Sequence, residues 1–382
     1  MPSTLNEFLP FVSGSVFNIV AALVVLTIVV FVHEMGHFLV ARWNRVRVDV
    51  FSIGFGPELF GVNDRHGTRW KFSAIPLGGY VKFFGDENEA STGADDREMT
   101  EEEKAVSFHH KPVWRRAAVV VAGPAANYVF AIALYAGIFM SVGMAITPPI
   151  ISDVLPGSAA EEAGLQPGDR VVAMDGKEVS RFEQVQHRIP LTNGASVTLV
   201  VERDGQRVET TATPRIQEVT DELGETREMA VLGIAASTAG QDNVRLGPGE
   251  AVGEAVAHSY FLVEATFVAV GQIIAGERGT EDLGGPLRIA EMSGQMAELG
   301  LTTLLLFMAF LSVNLGLINI LPIPVLDGGH LVFYAMEAIR GRPVNERAQE
   351  YSFRIGLALI LSLMVFVTWN DIVNLIDRHL TG

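Results

Sequence analysis

Long uncharged apolar segments constrain the fold of this chain more than any other feature. The first contains FNIVAALVVLTIVVFV, and no charged residue occurs between Glu7 and His33. A bilayer core of ~30 Å is crossed by roughly 20 apolar helical residues. Four transmembrane helices are predicted on this basis, at residues 16–38, 117–145, 301–321 and 355–370. The 382-residue chain is 49% hydrophobic, with a mean hydropathy of +0.30, which also favours a membrane protein.

A fifth apolar segment, residues 254–276, is interrupted by Glu254, His258 and Glu264. We predict that it forms an amphipathic helix on the membrane surface and does not cross the bilayer. The tail before residue 16 contains no Lys or Arg, and HExxH follows the first apolar run in place of a cleavage site. The first span is therefore expected to be retained and not removed as a signal peptide.

The composition excludes several classes of function. A formal net charge of −16 argues against nucleic acid as a partner. Much of the acidity lies in residues 85–104, which are predicted to form a solvated loop. The sequence contains no cysteine, so a metal would be held by His, Asp or Glu.

Basic residues in the short loops predict the orientation of the spans, because Lys and Arg concentrate on the cytoplasmic side. They cluster after the first span, before the second and after the third: Arg42, Arg45, Arg47, Lys111, Arg115, Arg116, Arg340, Arg342 and Arg347. After the second span, no Lys or Arg occurs until Arg170. The N-terminus and residues 146–298 are thus predicted to lie outside, and the other two loops in the cytoplasm.

Two regions outside the spans are expected to form β-structure. Residues 48–61 and 68–85 are Gly-rich and strand-like, and their simplest interpretation is a structural hairpin at the cytoplasmic side of the membrane. Between the second and third spans, turn dipeptides separate short apolar runs, and a hairpin is predicted around Asp204-Gly205. The stretch PGSAAEEAGLQPGDRVVAMDG in this region resembles the core of PDZ domains.

The predicted fold class is a polytopic α-helical membrane protein with four transmembrane helices, a membrane-associated β-hairpin segment and one extracytoplasmic PDZ-like domain. Its parts are the first helix (1–47), the β-loop and acidic loop (48–116), the second helix (117–147), the PDZ-like domain (148–236), an amphipathic helix region (237–298), and the third and fourth helices (299–382).

The sequence HEMGH at the end of the first span has the spacing of a metal site. Residues i and i+4 share one face of a helix, so His33 and His37 can bind one ion. Glu34 projects beside them and can take a proton from water and pass it to a leaving amine. Ionisable groups are costly inside a membrane and usually serve function there.

A catalytic zinc site needs a third protein ligand, and Asp327 is our candidate. It is the first acidic residue after a charge-free run that starts at Leu299, and two nearby prolines would break the helix and let the chain turn. His330 is a rival ligand. If residues 254–276 crossed the membrane, Asp327 would lie on the opposite face from the histidines, so the metal hypothesis also favours a surface helix there.

These motifs in this order resemble the site-2 protease family of intramembrane zinc proteases, above all the bacterial regulator of sigma-E protease type. The resemblance rests on HEMGH, on GPAAN at 123–127, on the PDZ-like unit and on NILPIPVLDGG at 319–329. It implies that Zn²⁺ is held by His33, His37 and Asp327, with Glu34 as the catalytic base. It also implies substrate binding by residues near the metal and in a membrane-reentrant β-loop: Asn314, Asn319, Pro322, Pro324, Gly78 and Gly79.

The resemblance further implies regulated intramembrane proteolysis in a bacterial inner membrane. The expected substrates are single-span proteins already shortened on the outer side, of the anti-sigma factor type, and also remnant signal peptides. Members of this type carry two PDZ units, and we find one. Two alternatives stay open at this point: a non-proteolytic scaffold that acts through its PDZ-like domain, and a cation transporter that uses the His/Asp cluster as a transit site.

Overall fold

The computed structural model describes residues 3–86, 99–220, 226–236, 242–277, 279–280 and 283–381. The chain divides into two compact units, which are described separately here. Unit 1 comprises Met1–Tyr135, Ala255–Val263 and Thr280–Gly382. Unit 2 comprises Ala136–Glu254 and Glu264–Gly279. Residues 87–98 of the predicted acidic loop and residues 237–241 lie outside the described residues.

Ten α-helices are present in the described residues, most of them in unit 1. They are α1 (Ser3–Trp43), α2 (Glu101–Val106), α3 (Val113–Ser141), α4 (Ala159–Glu162), α5 (Phe182–Arg188), α6 (Pro248–Ala275), α7 (Pro286–Glu298), α8 (Leu301–Ile320), α9 (Asp327–Arg340) and α10 (Glu346–Thr381).

The strands form one sheet in unit 1 and several small sheets in unit 2. They are β1 (Val48–Asn63), β2 (Arg69–Phe83), β3 (Met144–Ile146), β4 (Ile151–Val154), β5 (Arg170–Met174), β6 (Lys177–Glu178), β7 (Val197–Arg203), β8 (Gln206–Ala212), β9 (Arg215–Thr220), β10 (Thr226–Val231), β11 (Ile234–Ala236) and β12 (Asp242–Val244).

Five described helices are long and apolar enough to cross a membrane: Val16–Trp43, Val113–Ser141, Pro248–Ala275, Leu301–Ile320 and Arg347–Ile376. The chain is therefore a multi-pass membrane protein, as predicted. Four of the five overlap the predicted spans. The fifth is α6, which we expected to lie on the membrane surface; it has the required length but the lowest hydropathy of the five, 1.3. The count of four spans stays a prediction.

The helices end at other residues than the predicted spans. The first span was placed at 16–38 and the fourth at 355–370, but α1 and α10 continue well past both ends, because helical hydrogen bonding does not stop where the apolar segment stops. The second span was placed at 117–145, but α3 ends at Ser141. Gly143 adopts a left-handed φ of 97°, and β3 begins at the next residue.

The β-rich segment of unit 1 is more folded than the simple hairpin that we predicted. Residues 50–53 of β1 each have two antiparallel partners, one in residues 69–72 and the other in residues 79–82 of β2. Residues 50–53 of β1 are therefore central, and the segment 79–83 forms an edge of this sheet. Gly54, with a φ of 87°, permits the bend, since a Cβ there would lie 2.6 Å from the Ile75 carbonyl oxygen.

Aromatic side chains attach this sheet to α1. The rings of Phe51 and Trp70 stack with centroids 4.3 Å apart, and Phe38 of α1 meets both rings edge-on. Phe51 is 1% exposed. Because α1 also carries the predicted metal ligands, this aromatic cluster fixes the sheet beside them.

Unit 2 has the compact apolar core of a small β-rich domain. Its largest sheet has the strand order β6-β5-β7-β8, and β7 pairs with β8 through the predicted turn at Asp204-Gly205. Val171, Leu199 and Val201 are fully buried in the core. Asp169 is 1% exposed and pairs with Arg203, whose guanidinium donates to both carboxylate oxygens at 2.6 and 2.7 Å.

Candidate metal centre

The two histidines of α1 lie where α1 and α3 make their closest approach. A Cβ on Gly36 would lie 2.2 Å from the Ala122 carbonyl oxygen, and one on Gly123 would lie 2.3 Å from His37 Nε2. Glycine at both positions is therefore needed for the helices to pack this tightly, as small residues do in membrane helix pairs. His33 and His37 are both 7% exposed.

Asp327 reaches the same point from the other end of the chain. The helix α8 ends at Ile320, the prolines follow, and α9 begins with Asp327 itself. This break was predicted from the prolines. A Cβ on Gly328 would lie 2.2 Å from two carbonyl oxygens, and one on Gly329 would lie 2.4 Å from Ile323 O, so both glycines let the chain fold back tightly.

The three predicted ligands form a compact group of donor atoms. His33 Nε2 lies 3.1 Å from Asp327 Oδ2, His37 Nε2 lies 3.4 Å from the same oxygen, and the two Nε2 atoms are 3.1 Å apart. Tetrahedral zinc with bonds of ~2.0–2.1 Å requires ligand atoms roughly 3.3 Å apart. Asp327 Oδ2 is buried without a hydrogen-bond partner among the described residues. The donor set and its spacing fit a zinc ion.

Each histidine has a second contact that orients its ring, and both contacts come from α3. His37 Nδ1 lies 2.8 Å from the Val119 carbonyl oxygen, which can only accept. His37 therefore carries its proton on Nδ1, and Nε2 presents a lone pair to the metal position. His33 Nδ1 lies 3.2 Å from the side-chain amide of Asn127.

The orientation of the Asn127 amide follows from its surroundings. Asn127 is fully buried, and its Oδ1 has no hydrogen-bond partner among the described residues. Amide oxygen and nitrogen are assigned from the hydrogen-bond network, and a 180° turn places Oδ1 against His33 Nδ1. The oxygen then accepts the Nδ1 proton and satisfies both groups. In this arrangement the Asn127 side chain accepts the Nδ1 proton of His33, as the Val119 carbonyl accepts that of His37. Each contact leaves the Nε2 lone pair of its histidine for the metal.

A cavity of 480 Å³ opens beside the three ligands. Glu34 lines it, and the backbone amide of Val81 donates to the Glu34 carboxylate. Edge-strand residues of β2 form one wall, namely Gly79, Tyr80, Val81 and Phe83. The cavity therefore brings the predicted catalytic carboxylate, the ligand group and an edge of the β1–β2 sheet together.

Only part of the predicted substrate-binding set lies at this cavity. Gly79 and Asn319 line it, whereas Asn314, Pro322, Pro324 and Gly78 are outside the described residues that form its wall. The side chain of Asn314 donates to the Phe310 carbonyl one turn back, and a Cβ on Gly78 would lie 2.6 Å from the Phe55 ring. The rival ligand His330 lines the cavity but is not in the ligand group.

Sequence reasoning missed the orienting contacts. Val119 cannot be recognised from sequence, because its contribution is a backbone carbonyl. Asn127 did carry a signal: it is a polar residue inside an apolar span, where such residues usually have a partner. We noted it only as part of GPAAN and gave it no role.

Comparison with known proteins points to one group. The family model of peptidase family M50 matches residues 7–363. A protein of Agrobacterium fabrum named as a zinc metalloprotease is 49% identical over 362 residues, covering 94% of this chain and 96% of that protein. A Rhizobium meliloti protein named in the same way is 48% identical over 360 residues, covering 93% and 96%. The metalloprotease MmpA of Caulobacter vibrioides is 36% identical over 384 residues, covering 94% and 96%.

Among solved structures, the PDZ domain of an SdrC-like protein from Listeria innocua is 17% identical and covers 23% of this chain and 92% of its own length. Its TM-score is 0.19, and a likeness this low carries no argument about the fold of unit 2.

Proposed function

This chain belongs to peptidase family M50, and we propose that it is a zinc-dependent endopeptidase that cuts peptide bonds within transmembrane segments. The observation that carries the proposal is the group of three buried ligand atoms from α1 and α9, with Glu34 beside it in an open cavity. His33, His37 and Asp327 are assigned as the zinc ligands. Three protein ligands leave the fourth tetrahedral position free, as catalytic zinc sites require.

Zinc, when bound, supplies a Lewis acid that polarises the scissile carbonyl. The rest of the chemistry falls to the side chains around it. Glu34 accepts a proton from the attacking water and delivers it to the leaving amine. The Val81 amide holds the Glu34 carboxylate by a hydrogen bond, which limits the positions that the carboxylate can take. His37 and His33 keep their rings in place through Val119 and Asn127.

The location of the site explains how a hydrolase can work at membrane depth. Irregular backbone is tolerated there where it is buried in protein or lines a cavity, and the α8–α9 break meets that condition. The cavity admits water beside Glu34. A substrate helix hides its peptide bonds in its own hydrogen bonds, so it must unwind before a bond reaches the zinc.

The edge segment 79–83 of β2 can receive the unwound substrate. It pairs with β1 on one side, and residues on it line the cavity. An extended peptide can add to such an edge by main-chain hydrogen bonds. Single proline substitutions at residues 77–82 test this step, because proline removes an N–H donor. Unchanged cleavage by every variant would exclude strand pairing.

We assign the substrates to single-span proteins already shortened outside the membrane, such as anti-sigma factors, and to remnant signal peptides. The enzyme is placed in a bacterial inner membrane with four spans, and α6 lies on the outer surface. With four spans, the C-terminal ends of α1 and α8 both lie on the cytoplasmic side. The metal site needs this, because its ligands follow from both ends. Residues 148–236 then form an extracytoplasmic PDZ-like domain that filters substrates by size or binds their new ends.

The first experiment compares the purified protein with its Glu34→Gln variant on a truncated single-span substrate in detergent. We expect cuts inside the apolar segment by the wild type, none by the variant, and none after treatment with a chelator. Zinc content should be equal in the two proteins. Equal cleavage by both would overturn the role of Glu34. Loss of zinc from the variant would show that Glu34 acts through the metal site itself.

A further inference from the structure

A second cavity, of 590 Å³, lies between the C-terminal end of α1 and the N-terminal end of α3. Its polar and aromatic lining comprises Trp43, Asn44, Arg45, Trp114 and Arg115. None of these residues takes part in the proposed hydrolysis.

The position of this cavity coincides with the ends of two membrane-spanning helices. One span runs to Trp43, and the next begins at Val113. Trp43 is 86% exposed and Trp114 is 63% exposed. Tryptophan is enriched at the level of the lipid headgroups, where its ring meets acyl chains and its N–H meets water. The two indoles therefore mark the headgroup level on this face.

The arginines in the cavity differ from the arginines around them. Arg42, Arg47 and Arg116 each form an ion pair with a carboxylate. Within the part of the chain that the structure describes, Arg45 and Arg115 have no such pair, and Arg115 Nε is buried without a hydrogen-bond partner. The Arg115 guanidinium lies over the Trp114 ring, 5.0 Å from its centroid.

Uncompensated positive charge is concentrated at this point. Lys111 lies close by, and its pKa is lowered first by burial and then by the charges of Arg115 and Arg45. Repulsion among three cations is relieved by an anion placed between them. A bound anion would also supply acceptors for the Arg115 guanidinium.

Arg45 occupies a backbone position that suits glycine better. It follows the end of α1 with a left-handed φ of 57°, and the amide of Val46 donates back to the Ala41 carbonyl. Helices often end in this way, usually with glycine at the left-handed residue. This turn places Arg45 just after the C-terminal end of α1, where it lines the cavity.

We propose that Arg45 and Arg115, flanked by Trp43 and Trp114, bind the phosphate headgroup of an anionic phospholipid on this face of the membrane. The arginines contact the phosphate, and the indoles pack against the glycerol and upper acyl chains. Basic cavities between transmembrane helices bind anionic lipid headgroups in this manner.

The test uses the full-length protein in mild detergent and native mass spectrometry with added lipid. Phosphatidylglycerol and cardiolipin are compared with phosphatidylcholine, and inorganic phosphate is added as a separate competitor. We expect retained adducts of the anionic lipids. The double variant Arg45→Gln/Arg115→Gln should bind them about 10- to 30-fold more weakly. The control variant Arg340→Gln/Arg342→Gln removes two exposed arginines elsewhere and should bind as the wild type does.

A second readout locates the lipid. Brominated phosphatidylglycerol in nanodiscs should quench the fluorescence of Trp43 and Trp114 more than brominated phosphatidylcholine does, and a Trp43→Phe/Trp114→Phe variant should lose that difference. Equal affinity for anionic and zwitterionic lipids, or equal losses in both double arginine variants, would overturn the proposal. Displacement by millimolar phosphate without any lipid preference would identify a simple anion site and would also overturn it.

Discussion

Each compact unit buries a carboxylate, and the two are treated in opposite ways. In unit 2, Asp169 accepts two hydrogen bonds from Arg203 and one from the backbone N–H of Gln166 at 2.9 Å. In unit 1, Asp327 Oδ2 is buried without a hydrogen-bond partner, although two imidazole nitrogens lie within 3.4 Å. A buried carboxylate whose oxygens all accept hydrogen bonds stabilises the fold. A buried carboxylate oxygen that accepts none is available to bind a ligand. The comparison predicts different consequences for the same Asp→Asn change.

The largest effect is expected at the unsaturated carboxylate. Asp327→Asn removes the anionic ligand, and we expect zinc content to fall from one ion per chain to near zero and cleavage to fall by more than about 100-fold. Elemental analysis and the detergent cleavage assay measure these. Asp169→Asn is the matched control and should keep its zinc. Full zinc in Asp327→Asn would remove Asp327 from the ligand set.

The next effect concerns stability. Asp169→Asn leaves the partly buried Arg203 without its charged partner, and we expect unit 2 to lose about 2–3 kcal/mol. Hydrogen exchange of β5 and β7 amides in the full-length protein measures the loss. Asp327→Asn should leave the same amides unchanged in zinc-free protein. Equal protection of β5 and β7 in wild type and Asp169→Asn would show that the pair does not stabilise the sheet.

A smaller effect is expected one contact away from the metal. Asn127→Leu removes the acceptor for His33 Nδ1, and we expect zinc affinity to fall by 10- to 100-fold, as orienting contacts typically do. Asn127→Asp restores an acceptor and should bind zinc close to the wild-type level. Competition with a chromophoric chelator gives the affinities without an activity assay. If Asp and Leu lower affinity equally, Asn127 serves packing alone.

The smallest effect is expected from pH. Burial acts to raise the pKa of Asp169, but hydrogen bonds from Arg203 and the Gln166 amide, with the charge of Arg203, lower it overall. The folded-state pKa thus lies below that of the unfolded chain, ~3.9. The stabilisation from the Asp169–Arg203 pair is complete above the unfolded-chain pKa. It is lost as the pH falls through the lower folded-state pKa of Asp169. Denaturant midpoints of unit 2 should drop below about pH 4, and Asp169→Asn should reduce this dependence.

Features that depend on residues close together in the sequence could be predicted, whereas contacts between distant elements could not. His33 and His37 could be proposed as a pair because an i, i+4 pair is a local helix property. Asp327 could be proposed because it ends a long charge-free run and follows two prolines, and the structure places it beside the histidines. The approach of α3 was missed, since Gly36 and Gly123 matter only through atoms of another helix. The doubled pairing of β1 was missed for a similar reason: alternation predicts strands but not which edges they share.

The predicted substrate-binding residues are divided by their positions along the chain. Asn319 is the last residue but one of α8 and lines the cavity, whereas Asn314 lies more than one turn farther back on the same helix. Gly79 lines the cavity beside Glu34, but Gly78 faces Phe55. Adjacent strand residues point to opposite faces, so Gly78 and Gly79 present different faces of β2.

The division of the proposed zinc ligands between α1 and α9 bears on biosynthesis. His33 and His37 are made near the start of the chain, and Asp327 is made near its end. A nascent chain that stops before α9 lacks the acidic ligand and therefore lacks the complete ligand group. With the proposed ligand set, the proteolytic site forms only after α9 has been made and has folded back against α1.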